Sequence, residues 1–546
     1  MLRALAGALA LGTLAAFTPT AIGAEQVRQT TYTNPILGGF HADPSVCRVG
    51  SDYYLVTSSF EYFPGVPVYH SKDLVNWRQI GHALTRTSQL DLKGQKSSKG
   101  IFAPSIRCHQ GTFYMITTNI ENGGSFYVHT KDPAGPWSEP VWIKESSFGM
   151  DPSLLFDDDG KVYYTRHGGG EKGGVYQAEI DIKTGVLKEE ARLIWPGTGG
   201  VWPEGPHLYK KDGMYYLMIS EGGTSYNHSI TMARSRSPWG PFEVDPANPI
   251  LTHRAHPALA LQATGHGDLV QGENGSWWMV LLGIRPLDKV HHIGRETLLA
   301  PVAWNDQGWL TVNNGKPIFE RMTVPNLPPA APWPKTPVRD DFAKTRLGLD
   351  WTMLRAPGSE LYSLTERPGY LRLKGSAVSL DDVATPAFIG RRQEHLHARA
   401  ATEVAFTPTA PGHVAGLAVR SDEANHVQLR ITGAPQKRVE LVTRVSGVST
   451  VQKAAPIGPG PVSLLVTAFQ DRYEFSYSVG GKALQAIGSV PTKHLSAEKT
   501  GSFTGNLIGM FSSGAVAKSG AEAGAGPMPA ADFAWFDYQP LQSGAK

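Results

Sequence analysis

The sequence predicts an all-β protein, a five-bladed β-propeller followed by an antiparallel β-sandwich. Three observations predict it. A strand entrance built on a proline recurs at Asp43-Pro44-Ser45, Ala103-Pro104-Ser105, Asp151-Pro152-Ser153 and Glu204-Gly205-Pro206-His207, with a less regular copy at His266-Gly267-Asp268-Leu269. A run from Pro325 to Pro337 holds six prolines and cannot join a sheet. Beyond it the chain alternates polar and apolar residues in short runs, as strands with one buried face do.

The N-terminus reads as an export leader over residues 1–24. Arg3 supplies a weak positive start, Leu5 to Phe17 is apolar, and Ala21-Ile22-Gly23-Ala24 offers small residues for cleavage. An N-terminal helix is the alternative. The apolar stretch is short for a span of about 20 residues, so the mature protein is expected to be exported, in the periplasm or secreted, with no membrane partner.

Residues 31–323 carry the repeats. Each entrance leads to a turn and an aromatic strand: Gly50-Ser51-Asp52-Tyr53-Tyr54, Gln110-Gly111-Thr112-Phe113-Tyr114, Asp159-Gly160-Lys161-Val162-Tyr163, Asp212-Gly213-Met214-Tyr215-Tyr216 and Asn274-Gly275-Ser276-Trp277-Trp278. Asp-Gly and Asn-Gly are strong hairpin signals because both positions tolerate positive φ. An outer turn recurs as well, in Ser71-Lys72-Asp73-Leu74-Val75-Asn76-Trp77, Lys131-Asp132-Pro133-Ala134-Gly135-Pro136-Trp137 and Ser237-Pro238-Trp239-Gly240-Pro241-Phe242. Each unit is then a sheet of roughly four strands, too small to bury its own faces, and radial packing of five such sheets solves that problem.

Residues 324–338 are expected to form a semi-rigid linker of extended polyproline character. Residues 339–541 alternate with period two in Tyr370-Leu371-Arg372-Leu373, His426-Val427-Gln428-Leu429 and Tyr473-Glu474-Phe475-Ser476-Tyr477, which argues a sandwich. Gly514 to Ala531 is rich in Gly and Ala and reads as a mobile loop. The two cysteines, Cys47 and Cys108, follow the first two entrances at similar places; two buried thiols are expected, with a bridge between neighbouring blades as the alternative.

With 41% hydrophobic and 18% charged residues the chain reads as a folded protein. A net charge of +3 spread over 546 residues, with no basic run, gives no basis for nucleic acid as a partner.

Blades arranged around an axis bring equivalent strand starts to one end of the channel, so Asp43, Asp151, Glu204 and His266 become neighbours. A proton donor and a second carboxylate are what cleavage of a glycosidic bond needs, and a third acid can tune the other two through like-charge repulsion. Asp-Pro is also a common turn opening, and Glu204 among Trp202, Pro203, Gly205 and Pro206 could serve as a cap. The second copy, however, carries Ala103 where the first and third carry Asp, so the entrance does not require the acid. His266, between two glycines, is open to three readings: sugar contact, metal ligand or turn residue.

The set Phe40-His41-Ala42-Asp43-Pro44-Ser45, Ser58-Ser59-Phe60-Glu61-Tyr62-Phe63-Pro64-Gly65, Met150-Asp151-Pro152-Ser153, Trp202-Pro203-Glu204-Gly205-Pro206-His207 and Gly294-Arg295-Glu296-Thr297 resembles glycoside hydrolase family 43. It is most similar to β-xylosidases with a C-terminal sandwich, and the resemblance covers almost all of the mature chain. It implies a five-bladed propeller, a jelly-roll, concanavalin-like sandwich, and hydrolysis with inversion. Asp43 would be the base that activates water, Glu204 the acid that protonates the leaving oxygen, and Asp151 the group that raises the pKa of Glu204 and holds it. Inversion asks for about 6.5–9.5 Å between base and acid. Arg295 and Phe60 match residues that hold the non-reducing sugar. Phe102 stands where some relatives have Trp or Tyr. His266 matches a histidine that contacts sugar in some members and a calcium ion in others, so Ca2+ is a possible but not a required cofactor.

The expected activity is exo-release of β-D-xylose from xylo-oligosaccharides, with α-L-arabinofuranosidase or dual activity as the alternative. A non-catalytic sugar-binding propeller is the reading from another class. Family 32 fructosidases resemble the chain less, because they usually carry Cys after the acid Glu where this chain has Gly205. The sandwich is expected either to buttress the propeller or to lend a loop that closes one side of the pocket.

Overall fold

The computed structural model describes residues 29–145, 149–433, 436–514 and 528–542. The expected leader and most of the Gly/Ala-rich stretch lie outside the described residues.

Five antiparallel sheets follow one another along the chain, and their first strands are Ser45–Val49, Ser105–His109, Gly149–Phe156, Glu204–Lys211 and Gln262–Gln271. Each of these strands packs against the first strand of the next sheet, and that of the fifth packs back on that of the first. The ring so closed is a five-bladed propeller with these strands around its axis. The second strand of every blade is the aromatic segment read from the sequence, and the recurring outer turn joins the third strand to the fourth. Blades one, two and five have four strands. In the third and fourth the outermost place is shared by two short strands, Val186–Leu187 with Arg192–Trp195 and Glu243–Val244 with Leu251–Thr252.

The hairpin signals work unevenly. Gln110-Gly111 and Asp212-Gly213 take positive φ at both residues, whereas at Asp159-Gly160 and Asn274-Gly275 only the glycine does. Gln thus serves where Asp or Asn was the stronger signal, because a two-residue turn between twisted strands asks for the left-handed region whatever the side chain.

The expectation of two free thiols is corrected. Cys47 and Cys108 form a disulfide with Cα atoms 5.9 Å apart. Their strands are the innermost ones of adjacent blades and lie side by side at matched height, within the range a bridge spans.

The C-terminal domain pairs a six-stranded sheet with an eight-stranded one around an apolar core. That core is continuous with the propeller: the same cluster contains Phe63, Val66, Leu90 and Ile106 from blades one and two and Leu417, Leu441 and Phe533 from the sandwich. Met353–Leu354 pairs antiparallel with Tyr62–Phe63, so one small sheet is built from both domains. The proline-rich run is tied to blade one, where the Ala331 amide donates to Asp73 at 2.7 Å and the Trp333 indole N–H to the Asn76 carbonyl at 3.1 Å. Among the described residues no helix is long and apolar enough to cross a membrane.

Candidate active site

Three of the acid- or histidine-bearing entrances are β-bulges. The ladder of the third blade skips from Met150 to Ser153, that of the fourth from Glu204 to His207 and that of the fifth from Gly265 to Asp268. Pro152 and Pro206 have no N–H to give the ladder, so pairing lapses there and the strand kinks. Asp151 and His266 sit inside the skips with φ of 53° and 46°, and Glu204 is the last paired residue before one. Asp43, just ahead of the first inner strand, has φ 56°. Left-handed backbone is strained for these residues. Ala103, at the matching place in blade two, is not among the residues with positive φ.

The bulges aim these side chains at one cavity of about 440 Å³ at the end of the propeller channel. Asp43, Phe60, Phe102, Asp151, Glu204, His266 and Arg295, the complete set expected from sequence, all line it. Asp43 and Asp151 are 4% and 7% exposed. Sequence reasoning missed Phe503, which reaches the cavity from the sandwich, and Trp202 at its rim. Nothing in the local sequence of Phe503 marks it; only the docking of the two domains puts it there.

Asp43 is held as a carboxylate. Arg295 Nη1 donates to Oδ1 at 2.7 Å, the Ser58 hydroxyl to Oδ2 at 2.5 Å, and His266 Nδ1 lies 3.7 Å from Oδ1. Burial works to raise its pKa, but Arg295, His266 and Ser58 outweigh burial and hold the carboxyl below its usual range. Asp151 goes the other way: burial, then the like charges of Glu204 and Asp43, push it well above the carboxylate range, and the Gly205 amide at 3.3 Å offsets only part of this. For Glu204 burial is outweighed by His228 and His266; His228 Nε2 lies 3.4 Å from Oε1, and the carboxyl is lowered. Asp151 and Glu204 therefore titrate as one pair that keeps a proton past the ordinary carboxylate range. Burial and the like charge of its neighbours push Asp151 up within this pair, whereas the resemblance implies a raised Glu204.

Phe60, Phe102 and Phe503 form an apolar corner, with ring centroids 5.2 Å apart for Phe60 and Phe102, 6.1 Å for Phe60 and Phe503 and 6.2 Å for Phe102 and Phe503. The Arg295 guanidinium lies 5.8 Å from the Phe60 ring and 5.6 Å from that of Phe503. An apolar wall beside a planar donor fork can hold a sugar by its C–H face and its hydroxyls at once.

His266 is the one protein group here that the resemblance offers to a calcium ion, and water oxygens would have to supply the remaining ligands. Its imidazole is one nitrogen donor where Ca2+ takes about six to eight oxygens, and the nearest acid oxygen, on Asp43, is already bonded to Arg295. Among the described residues no cluster of three or more ligating side chains is found. Arg107, on the first strand of blade two, donates to Asp268 at 2.8 Å and to His207 Nδ1 at 2.7 Å. No chemical step is routed through a metal.

The model of glycosyl hydrolases family 43 matches residues 32–310, and that of the β-xylosidase C-terminal concanavalin A-like domain matches residues 339–539. A non-reducing end α-L-arabinofuranosidase of Bacteroides ovatus is 46% identical over 94% of this chain and 96% of its own. A xylosidase/arabinosidase of Butyrivibrio fibrisolvens is 39% identical over 88% of this chain and 95% of its own. Among solved structures, a xylan β-1,4-xylosidase from Bacillus halodurans superposes with a TM-score of 0.87 at 38% identity, over 93% of this chain and 99% of that one.

Proposed function

This chain belongs to glycosyl hydrolases family 43, and from that premise we propose that it is an exo-acting, inverting glycosidase that releases β-D-xylose from the non-reducing ends of xylo-oligosaccharides. The observation that carries the proposal is the convergence of Asp43, Asp151 and Glu204, from three blades, on one cavity whose aromatic side is completed by the second domain.

Asp43, ionised and anchored by Arg295 and Ser58, takes the proton of the attacking water. Glu204 gives its proton to the leaving oxygen; it draws that proton from the pair with Asp151, whose burial and negative neighbours keep one proton in the site at neutral pH. Arg295, Phe60 and Phe102 hold the terminal sugar. Phe503, from the sandwich, closes the corner against Phe60 and Phe102, which favours chain ends over chain interiors. Turnover measured after dialysis against a chelator, with and without added Ca2+, tests whether an ion at His266 takes part. The expected leader would put this reaction in the periplasm or outside the cell.

Release of α-L-arabinofuranose is the second reading, favoured by the name of the 46% identical relative. Initial rates on 4-nitrophenyl β-D-xyloside and α-L-arabinofuranoside decide between the two, with the first product anomer followed by NMR. A first-formed product of retained configuration would overturn the mechanism. Asp43→Ala and Glu204→Ala proteins that still turn over substrate like the parent would leave only a sugar-binding propeller.

A further inference from the structure

Trp202 is an outlier in two respects. It is 37% exposed, although it is the largest apolar side chain type and lies in a cavity wall. Its backbone is left-handed, φ 53°, a conformation uncommon for a bulky aromatic residue and strained unless something holds it. The holding is visible: the Trp202 amide donates to the Glu171 carbonyl at 2.8 Å, and the flanking Val201 carbonyl accepts the Gly222 amide at 2.8 Å. Gly223, also left-handed, adjoins the indole; a Cβ there would come within 3.3 Å of Trp202 Cδ1. The indole is thus fixed from the backbone side and meets the His167 ring at a centroid distance of 5.9 Å, while over a third of its surface stays in contact with solvent.

Its place along the cavity gives it meaning. Asp43, Arg295 and Phe60 are all buried and form the floor. Glu204, two residues after Trp202, is half-buried, and Trp202 and Thr224 are exposed at the rim. An exo-acting enzyme holds the terminal sugar on the floor, so what lies beyond the proton donor, towards the mouth, is the leaving group. A rigid aromatic face at that place offers a dry surface to the C–H face of a pyranose ring.

We propose that Trp202 is the platform for the leaving-group sugar, so that a binding place for a second pyranose, the next xylose of the oligosaccharide or the xylose that bears an arabinosyl branch, is built on the acid's side of the cavity. This inference rests on the glycosidase reading above. Trp202 is a substrate-binding residue and takes no part in proton transfer. It sets preference for sugar over small leaving groups.

The test compares the parent with Trp202→Ala and Trp202→Phe on two kinds of substrate. One has a sugar leaving group, xylobiose or arabinofuranosyl-xylobiose, whichever the parent cleaves; the other is the glycosyl fluoride of the same terminal sugar, whose leaving group has no ring. Inhibition by the free monosaccharide reads the floor of the site. Trp202→Ala should lower kcat/KM on the oligosaccharide at least about tenfold, mainly through KM, with the fluoride rate and monosaccharide inhibition unchanged, and Trp202→Phe should recover most of the loss. Equal losses on both substrates, or unchanged kcat/KM on the oligosaccharide in a protein with the parent's melting temperature, overturn the proposal. A parent that cleaves neither substrate overturns the glycosidase reading and this inference with it.

Discussion

Arg295 donates to Asp43 at 2.7 Å through Nη1 while its Nε and Nη2 approach the Phe503 carbonyl at 3.4 and 3.3 Å. One guanidinium therefore fixes the charge of an acid on blade one, from a segment ahead of the third strand of blade five, and fastens both to a loop of the sandwich. The domain interface and the acid's protonation state rest on the same side chain.

Replacing Arg295 with Leu should act on both. The substitution leaves a buried carboxylate without its strongest partner, a change that costs about 3–5 kcal/mol in buried pairs. Asp43 has a folded pKa below its unfolded value, so its contribution to stability is present above the unfolded carboxylate pKa and is lost as pH falls through the folded value. In Arg295→Leu the folded value rises. Two shifts are expected: a lower melting temperature at pH 7 and an acid limb of kcat/KM moved to higher pH. An acid limb that stays where it is in the parent would mean that Asp43 is not the base.

Asp151→Asn tests the shared proton. Burial of Asp151, and after it the like charges of Glu204 and Asp43, hold that proton in the site as pH rises. Removing one carboxyl of the pair leaves Glu204 with its histidine neighbours, which favour its ionised form. The alkaline limb of kcat/KM should therefore move to lower pH and activity at neutral pH should fall; an unmoved limb contradicts the pairing.

Glu204→Gln removes the proton donor and keeps the shape. General acid catalysis is worth about 100- to 10,000-fold, so xylobiose turnover should fall by that order. A 2,4-dinitrophenyl glycoside, whose leaving group departs without a proton, should lose far less. Equal losses on the two substrates would assign Glu204 a role other than proton donor.

The Cys47–Cys108 bridge closes a loop between residues 61 apart in sequence. Changing both to Ser should lower stability by about 2–4 kcal/mol in chemical denaturation, the usual worth of such a link. Neither sulfur lines the cavity, so kcat/KM should not change.

Much of this was legible beforehand because it is local. A bulge at Asp151-Pro152 follows from a proline that cannot feed the ladder, and hairpins at Asp212-Gly213 and Gln110-Gly111 follow from backbone geometry. Repetition of these short-range rules five times made the blade count readable, and the Ala103 exception separated acids from scaffold. The Cys47–Cys108 bond was less legible, because it depends on the lateral offset between two blades that the repeat pattern does not specify.

By itself, then, the sequence determined the five blades, the sandwich and which carboxylates stand at the blade entrances, because period-two patterning, turn residues and prolines act within a few residues of themselves. Tertiary structure decided the rest. Phe503 joins the cavity by domain docking, Arg295 is shared across an interface, and burial beside Glu204 and Asp43 pushes the Asp151 carboxyl up. Each of these depends on burial and on distances between residues remote along the chain, and no local pattern records such distances.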